Sequence, residues 1–134
     1  MAIEVFSEKR KKNVHPSLIE KILCVTEAMK VLGFEMMITD GARTAEEQNK
    51  LYQKGRTKPG DIVTYADGYI KRSNHQLHSD GFGHAVDCTF VVNGKPNWDN
   101  TNPWEAYGEC CKAVGLKWGG DNPNFKDNPH VELV

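Results

Sequence analysis

The sequence predicts an α+β domain: a small antiparallel sheet with two or three helices packed on one face. Three observations lead there. Three segments read as helices closed by glycine, two from apolar residues at the helical period and one from a capping box. Ala85 to Val92 alternates with a period of two, and Asn93-Gly94 follows as a strong hairpin signal. The 134 residues are 39% hydrophobic and 26% charged, enough for one domain with its own core and no disulfide staples.

The elements follow in order. Residues 16–32 read as a helix, with Pro16 in its first turn and capping-box spacing from Ser17 to Glu20. Its stripe is Leu18, Ile19, Ile22, Leu23, Thr26, Met29 and Leu32, and Gly33 stops it. Phe34 to Thr39 reads as a short strand, and Asp40-Gly41 turns the chain. Thr44 and Glu47 form a second capping box, opening a helix that runs to about Lys54 and closes at Gly55. Residues 56–83 are rich in Gly, Lys, Asp and His and read as irregular. A loop of that length in a small domain is functional or disordered. Along Ala85–Val92, Val86, Cys88, Phe90 and Val92 share one face, and Ala85, Asp87 and Thr89 the other. Asn102-Pro103 with Glu105 begins a third helix, carrying Trp104, Tyr107, Cys111 and Val114, which Gly115 ends. Lys117-Trp118 reads as a short strand. In a terminal strand from His130 to Val134, His130 and Glu132 face one way, Val131 and Leu133 the other.

Composition narrows the function classes. The net charge of −1 gives no general affinity for nucleic acid. The basic run Lys9-Arg10-Lys11-Lys12 reads as a solvated face, with loose attraction to an anionic polymer as its functional alternative. No stretch approaches the ~18 apolar residues of a membrane span, so no membrane insertion is expected. Met-Ala-Ile-Glu-Val lacks the apolar core of a signal peptide, which predicts synthesis in a cytoplasm without signal-directed export. Cys24, Cys88, Cys110 and Cys111 show no metal-ligand spacing and read as reduced, mostly buried apolar residues, with zinc ligation as the alternative. Asp61, Asp67 and Asp80 lack calcium-loop spacing, leaving a calcium site as a minor alternative.

The chemistry lies in His75, Asp87, His130 and Asp127. A catalytic zinc site needs three protein ligands, an open position for water, and a base near that water. Each residue has a plainer reading: a solvated loop histidine, a strand-end histidine, a turn aspartate in Lys126-Asp127-Asn128-Pro129. Asp87 resists one, because Asp is disfavoured in strands and costly to bury unpartnered. If the strands of Asp87 and His130 are neighbours, both side chains converge on the open sheet face, in a cleft walled by the 56–83 loop.

Ser73-x-His75 with Gly83-x-Ala85-x-Asp87, and Asp127-x-x-His130-x-Glu132, resemble the zinc peptidases of the D-alanyl-D-alanine carboxypeptidase and L-alanyl-D-glutamate endopeptidase superfamily. Gly41-Ala42-Arg43-Thr44, Glu47-Gln48 and Leu51-Tyr52 are similar to another segment of that superfamily. The stretch from Gly55 to Thr64 is similar to members that cut bacterial cell walls, and His130-Val131-Glu132-Leu133 looks like bacteriophage endolysins of this type. One departure stands out. The family spacing Ser-x-His-x-x-Gly-x-Ala-x-Asp puts Asp seven positions after His, whereas Asp87 is twelve after His75, as if Leu77 to Gly81 were inserted. His78 lies inside that segment and is the alternative first ligand. His84 sits at a variable position and should face away from Asp87.

The resemblance implies Zn2+ held by His75, Asp87 and His130. It implies Asp127 as the general base that passes a proton to the leaving amine. Arg43 would hold the carbonyl oxygen as it becomes anionic; its plainer reading is a helix-entry salt bridge. Glu132 would orient a ligand imidazole or contact substrate, Ser73 would support the ligands, and Gln48 would be structural. The substrate implied is the peptidoglycan stem peptide, cut between L-Ala and D-Glu, with D-Ala–D-Ala or D-Ala–D-Lac cleavage as the alternative. A non-catalytic zinc-binding or wall-binding module is the reading of another class. The expectation is a single catalytic domain over residues 1–134 without a separate wall-binding domain. It would act as a monomer, released to the wall by a holin-like permeabilising partner.

Overall fold

The computed structural model describes residues 9–134, so the N-terminal Met1 to Val5 stretch read above lies outside the described residues. The alternating stretch forms the central strand, β2 (Ala85–Val92). Strand β1 (Met36–Asp40) pairs along one edge of it. Strands β3 (Lys95–Asn97) and β5 (His130–Glu132) pair along the other, and β4 (Lys117–Trp118) pairs with β5. Every pairing is antiparallel, and the long path runs β1-β2-β5-β4. Asn93 (φ 54°) and Gly94 (φ 75°) both take the left-handed region, the geometry of a tight hairpin turn, and return the chain as β3.

Three helices complete the α+β architecture: α1 (Pro16–Val31), α2 (Ala45–Gln53) and α3 (Trp104–Ala113). Helix α1 buries Leu18, Ile22, Val25 and Met29, and α3 buries Trp104, Tyr107 and Cys111. Both pack on the sheet face that presents Ile38, Val86, Cys88, Phe90 and Val131. Each such side chain stabilises the fold by roughly 1.5–3 kcal/mol through burial, large against a typical net stability of about 5–15 kcal/mol. Helix α2 adds nothing to this cluster; its one buried residue is Gln48. Two helices therefore cover the apolar face. Among the described residues no helix is long and apolar enough to cross a membrane.

Local chemistry moves some boundaries. Helix α1 is capped by His15, whose Nδ1 accepts from Ser17 N–H at 3.0 Å, and not by a Ser17–Glu20 box. With Pro16 at the first position, Ser17 is already inside the helix. The Thr44–Glu47 box forms in both halves. Strand β1 starts at Met36 because Phe34 N–H closes α1 by bonding Met29 O at 2.9 Å. Strand β5 ends at Glu132, where its partners Ala85 and Lys117 also end their pairing.

The 56–83 segment has no helix or strand yet is fastened throughout. Fully buried Gln48 donates to Thr64 Oγ1 and Ala66 O, and Asn49 donates to Asp67 O. Asp67 Oδ1 accepts from the amides of Tyr69, Ile70 and Lys71. Buried Gln76 bonds Gly68 O and Ser73 N–H. The five extra residues form a small hairpin: Leu77 pairs with Gly83, and His78 and Phe82 bond backbone to backbone at 2.9 Å. The chain leaves and returns at neighbouring positions, so the insertion does not separate His75 from Asp87.

Candidate metal centre

Sheet register builds the centre. Asp87 lies directly opposite Asp40 on β1 and opposite His130 on β5, making a row of three residues across the sheet. Opposed positions share a face, so these side chains stand on the side away from the apolar core. His75 reaches the row from the long loop and is 2% exposed. Its Nδ1–H donates to Gly41 O at 2.9 Å, leaving the Nε2 lone pair for the centre. His130 Nε2–H donates to Glu132 Oε1 at 2.7 Å, leaving Nδ1 for the centre.

The three free ligand atoms form a nearly equilateral triangle. His75 Nε2 lies 3.2 Å from His130 Nδ1 and 3.3 Å from Asp87 Oδ1, and His130 Nδ1 lies 3.4 Å from Asp87 Oδ1. Four-coordinate zinc with ligands near 2.0–2.1 Å separates adjacent ligand atoms by about 3.3 Å. Asp87 Oδ1 is buried without a hydrogen-bond partner despite these neighbours. The imidazole nitrogens converge on a shared point and not on the oxygen. Among the described residues this is the one cluster of three or more His, Cys, Asp or Glu ligand atoms close enough to share an ion.

Electrostatics agree with geometry. Burial opposes ionisation of Asp87, but the neighbouring His75 and His130 outweigh it and hold the carboxyl well below its usual range. Burial disfavours the His130 cation, yet the adjacent carboxylates of Asp87 and Glu132 push it up to about 10. Both shifts mean that the centre favours positive charge, from a proton or from a metal ion. Glu132, lowered by His130 against the opposing effect of burial, also accepts from Asn74 Nδ2 at 2.6 Å.

Arg43 and Asp127 flank the triangle. The Arg43 guanidinium bonds Asp40 Oδ2 through Nε (2.9 Å) and Nη2, donates Nη1 to Gln48 Oε1 at 2.8 Å, and sits 3.6 Å from Asp87 Oδ2. It offsets the repulsion of the opposed Asp40 and Asp87, so the helix-entry ion pair exists and also borders the centre. Its own amide donates to His75 O at 2.7 Å. The Asp127 carboxyl is raised, first by burial and then by the charge of Asp87, while His130, His75 and Arg43 act in the opposite direction. The turn carrying Asp127 and His130 is fixed from below. Trp118 Nε1 donates to Asn128 O at 2.7 Å, and Tyr107 Oη–H and Cys88 N–H donate to Pro129 O at 2.9 and 3.1 Å.

His75, Asp87, His130, Asp127, Arg43, Glu132 and Gln48 are thus gathered in one region. His78 is not; its ring stacks on His84 at 3.7 Å, and His84 bonds Asp80 at 2.7 Å. Ser73 Oγ accepts from His75 N–H at 3.2 Å and so acts on the backbone of the loop. The cysteines are free and stand outside the cluster, with Cys24 exposed and Cys88 and Cys111 buried. Asp67 and Asp80 spend their oxygens on local amides and His84, and neither joins a cation cluster among the described residues. Sequence reasoning missed Asp40 and Asn74. Asp40 had a weak signal, a carboxylate three residues before Arg43 at a helix entry. Asn74 had none beyond its place beside His75.

Comparison with known proteins adds to this geometry. The profile of a family described as D-alanyl-D-alanine carboxypeptidase matches residues 66–133. The peptidoglycan L-alanyl-D-glutamate endopeptidase CwlK of Bacillus subtilis (strain 168) is 34% identical over 124 residues, covering 91% of this chain and 74% of that protein. The L-alanyl-D-glutamate peptidase of a Listeria phage is 25% identical over 103 residues, covering 75% of this chain and 31% of that protein. Among solved structures, the L-Ala D-Glu endopeptidase ChiX of Serratia marcescens has a TM-score of 0.64 at 23% identity, covering 96% of this chain and 86% of that one. The vancomycin resistance D,D-pentapeptidase VanY, in complex with Zn(II), has a TM-score of 0.64 at 16% identity, covering 90% of this chain and 72% of that one. These two structural likenesses concern the fold.

Proposed function

Because this chain belongs to the D-alanyl-D-alanine carboxypeptidase family of peptidases, we propose that it is a zinc-dependent peptidoglycan peptidase that hydrolyses the L-Ala–D-Glu bond of the stem peptide. The observation that carries the chemistry is the His75–Asp87–His130 triangle, whose three edges fit tetrahedral zinc. The relative CwlK, named for the same bond, carries the choice of bond.

His75, Asp87 and His130 would hold the ion, with Gly41 O and Glu132 fixing the two imidazoles. Zinc bound there would supply Lewis acidity toward the scissile carbonyl and a water acidic enough to attack near neutral pH. Asp127 takes the proton of the attacking water and returns it to the leaving amine. Its raised carboxyl lies closer to the working pH than an ordinary aspartate, as a general base requires. Arg43 places fixed positive charge beside Asp87, where the carbonyl oxygen would gain charge. Asp40 and Gln48 orient it before substrate arrives.

A second reading, removal of a terminal D-Ala, is favoured by the description of the matched family itself. An endolysin role, with a holin-like partner giving access to the wall, rests on the phage relative. The test is digestion of purified peptidoglycan by zinc-loaded protein, with fragments read by mass spectrometry. New L-Ala carboxyl and D-Glu amino ends are expected. Loss of terminal D-Ala alone moves the protein to the carboxypeptidase branch. Intact peptidoglycan from every wall type, with one zinc bound, removes the peptidase reading.

A further inference from the structure

The basic run plays no part in the centre described above, yet it is built into the fold beside it. Arg10 Nε donates to Thr39 O at 2.5 Å. Arg10 O occupies the space where a side chain on Gly41 would begin, 2.0 Å from the position of a Cβ. Gly83 N–H bonds Asn13 O, and His15 N–H bonds Gly83 O, at 2.8 and 3.0 Å. The segment is therefore bolted between the end of β1 and the loop carrying His75. Gly41 serves both sides, since its carbonyl also accepts from His75.

A cavity of about 580 Å³ lies between this segment and Arg43. Among the described residues, Lys9, Arg10, Lys12 and Arg43 line it together with the carboxylates Asp40 and Glu47. Both carboxylates are engaged: Asp40 by Arg43, and Glu47 by the Thr44 amide. The ammonium groups of Lys9 and Lys12 have no ion-pair partner among the described residues. Among the described residues, Lys9 and Lys12 thus add positive charge to a cavity that shares Arg43 with the candidate metal centre.

We propose that this cavity is a subsite for a carboxylate of the stem peptide, namely the free α-carboxylate of the D-Glu that follows the scissile bond. The assignment rests on the peptidase reading. D-Glu in the stem is linked through its γ-carboxyl, which leaves an α-carboxylate two bonds from the nitrogen released on cleavage. Arg43 links the two places: it lies 3.6 Å from Asp87 Oδ2 and also forms part of the cavity wall. Lys9 and Lys12 supply charge to it from a segment whose backbone is already fixed.

The experiment compares two soluble stem peptides, one with the free D-Glu α-carboxylate and one with its neutral amide, on the zinc-loaded protein. Wild type should show a KM about tenfold lower for the acid, and the Lys9→Gln/Lys12→Gln double variant should narrow that to about twofold, as expected for two partly exposed ion pairs. Lys30→Gln, which removes a charge at the far end of α1, should keep the preference. Equal KM values for both peptides in wild type, or an unchanged preference in the double variant, overturns the subsite while the peptidase reading stands. Calorimetric binding of the same peptides covers the case of no cleavage. Tighter binding of the acid, abolished in the double variant, then keeps the subsite and removes the peptidase reading; equal binding removes both. A defect of the double variant on intact walls alone replaces the subsite with general attraction to an anionic polymer.

Discussion

Asp87 Oδ1 is held among nitrogens that do not donate to it, and that one atom explains its surroundings. A buried carboxylate of this kind needs a cation, and each imidazole can offer a lone pair because an acceptor holds its other nitrogen. Glu132→Gln should therefore weaken zinc binding about 10- to 100-fold, read by competition with a chromogenic chelator. Asp127→Ala should lower kcat about 10²- to 10⁴-fold and leave one zinc per chain, measured by peptide hydrolysis and metal analysis. A module that only binds the wall would be indifferent to that change. Within the triangle, His75 was preferred to His78 through the family interval from Ser73, whereas Asp87 was legible in the sequence because an aspartate in a strand is anomalous on its own. Asp40 and Asn74 were not, because their roles come from partners 47 and 58 residues away, Asp87 and Glu132.

The turn before β5 shows how an element outside the centre controls it. Tyr107 lies on α3 and touches no ligand side chain, yet its hydroxyl holds the carbonyl of Pro129, next to His130. Burial keeps that hydroxyl protonated well past its usual range, so it remains a donor. Tyr107→Phe leaves Pro129 O one donor short and should cost about 1 kcal/mol of stability, measured by urea unfolding. It should also raise the zinc dissociation constant, an effect that a purely structural loss would not bring. Helices and strands were readable wherever a local signal decided them, as at the Thr44–Glu47 box and at Asn93-Gly94. The α1 cap was not, since a histidine is a poor capping signal and Pro16 displaced the expected box. The order of the 56–83 loop was equally hidden, because it comes from buried Gln48 and Gln76 and not from any local periodicity.

Across the whole molecule, the centre joins three distant pieces of chain: the long loop, β2 and β5. An ion bound there favours only the folded state, so chelation by EDTA should lower Tm by several degrees, with zinc restoring it. The shift should persist in Asp127→Ala. Thiol labelling under native conditions should proceed at Cys24, while Cys88 and Cys111 react only on unfolding. Burial pushes the Cys88 thiol up and that of Cys111 up to about 12. The sequence could place Asp87 and His130 on strand faces, but their direct opposition depends on β2 and β5 being neighbours, a long-range fact. The hairpin at 77–83 carries that logic into protein engineering. Its two stems meet at Leu77 and Gly83, so its tip is a splice point where an affinity tag or a fluorophore-bearing peptide can be carried on the enzyme's rim while His75 and Asp87 keep their spacing.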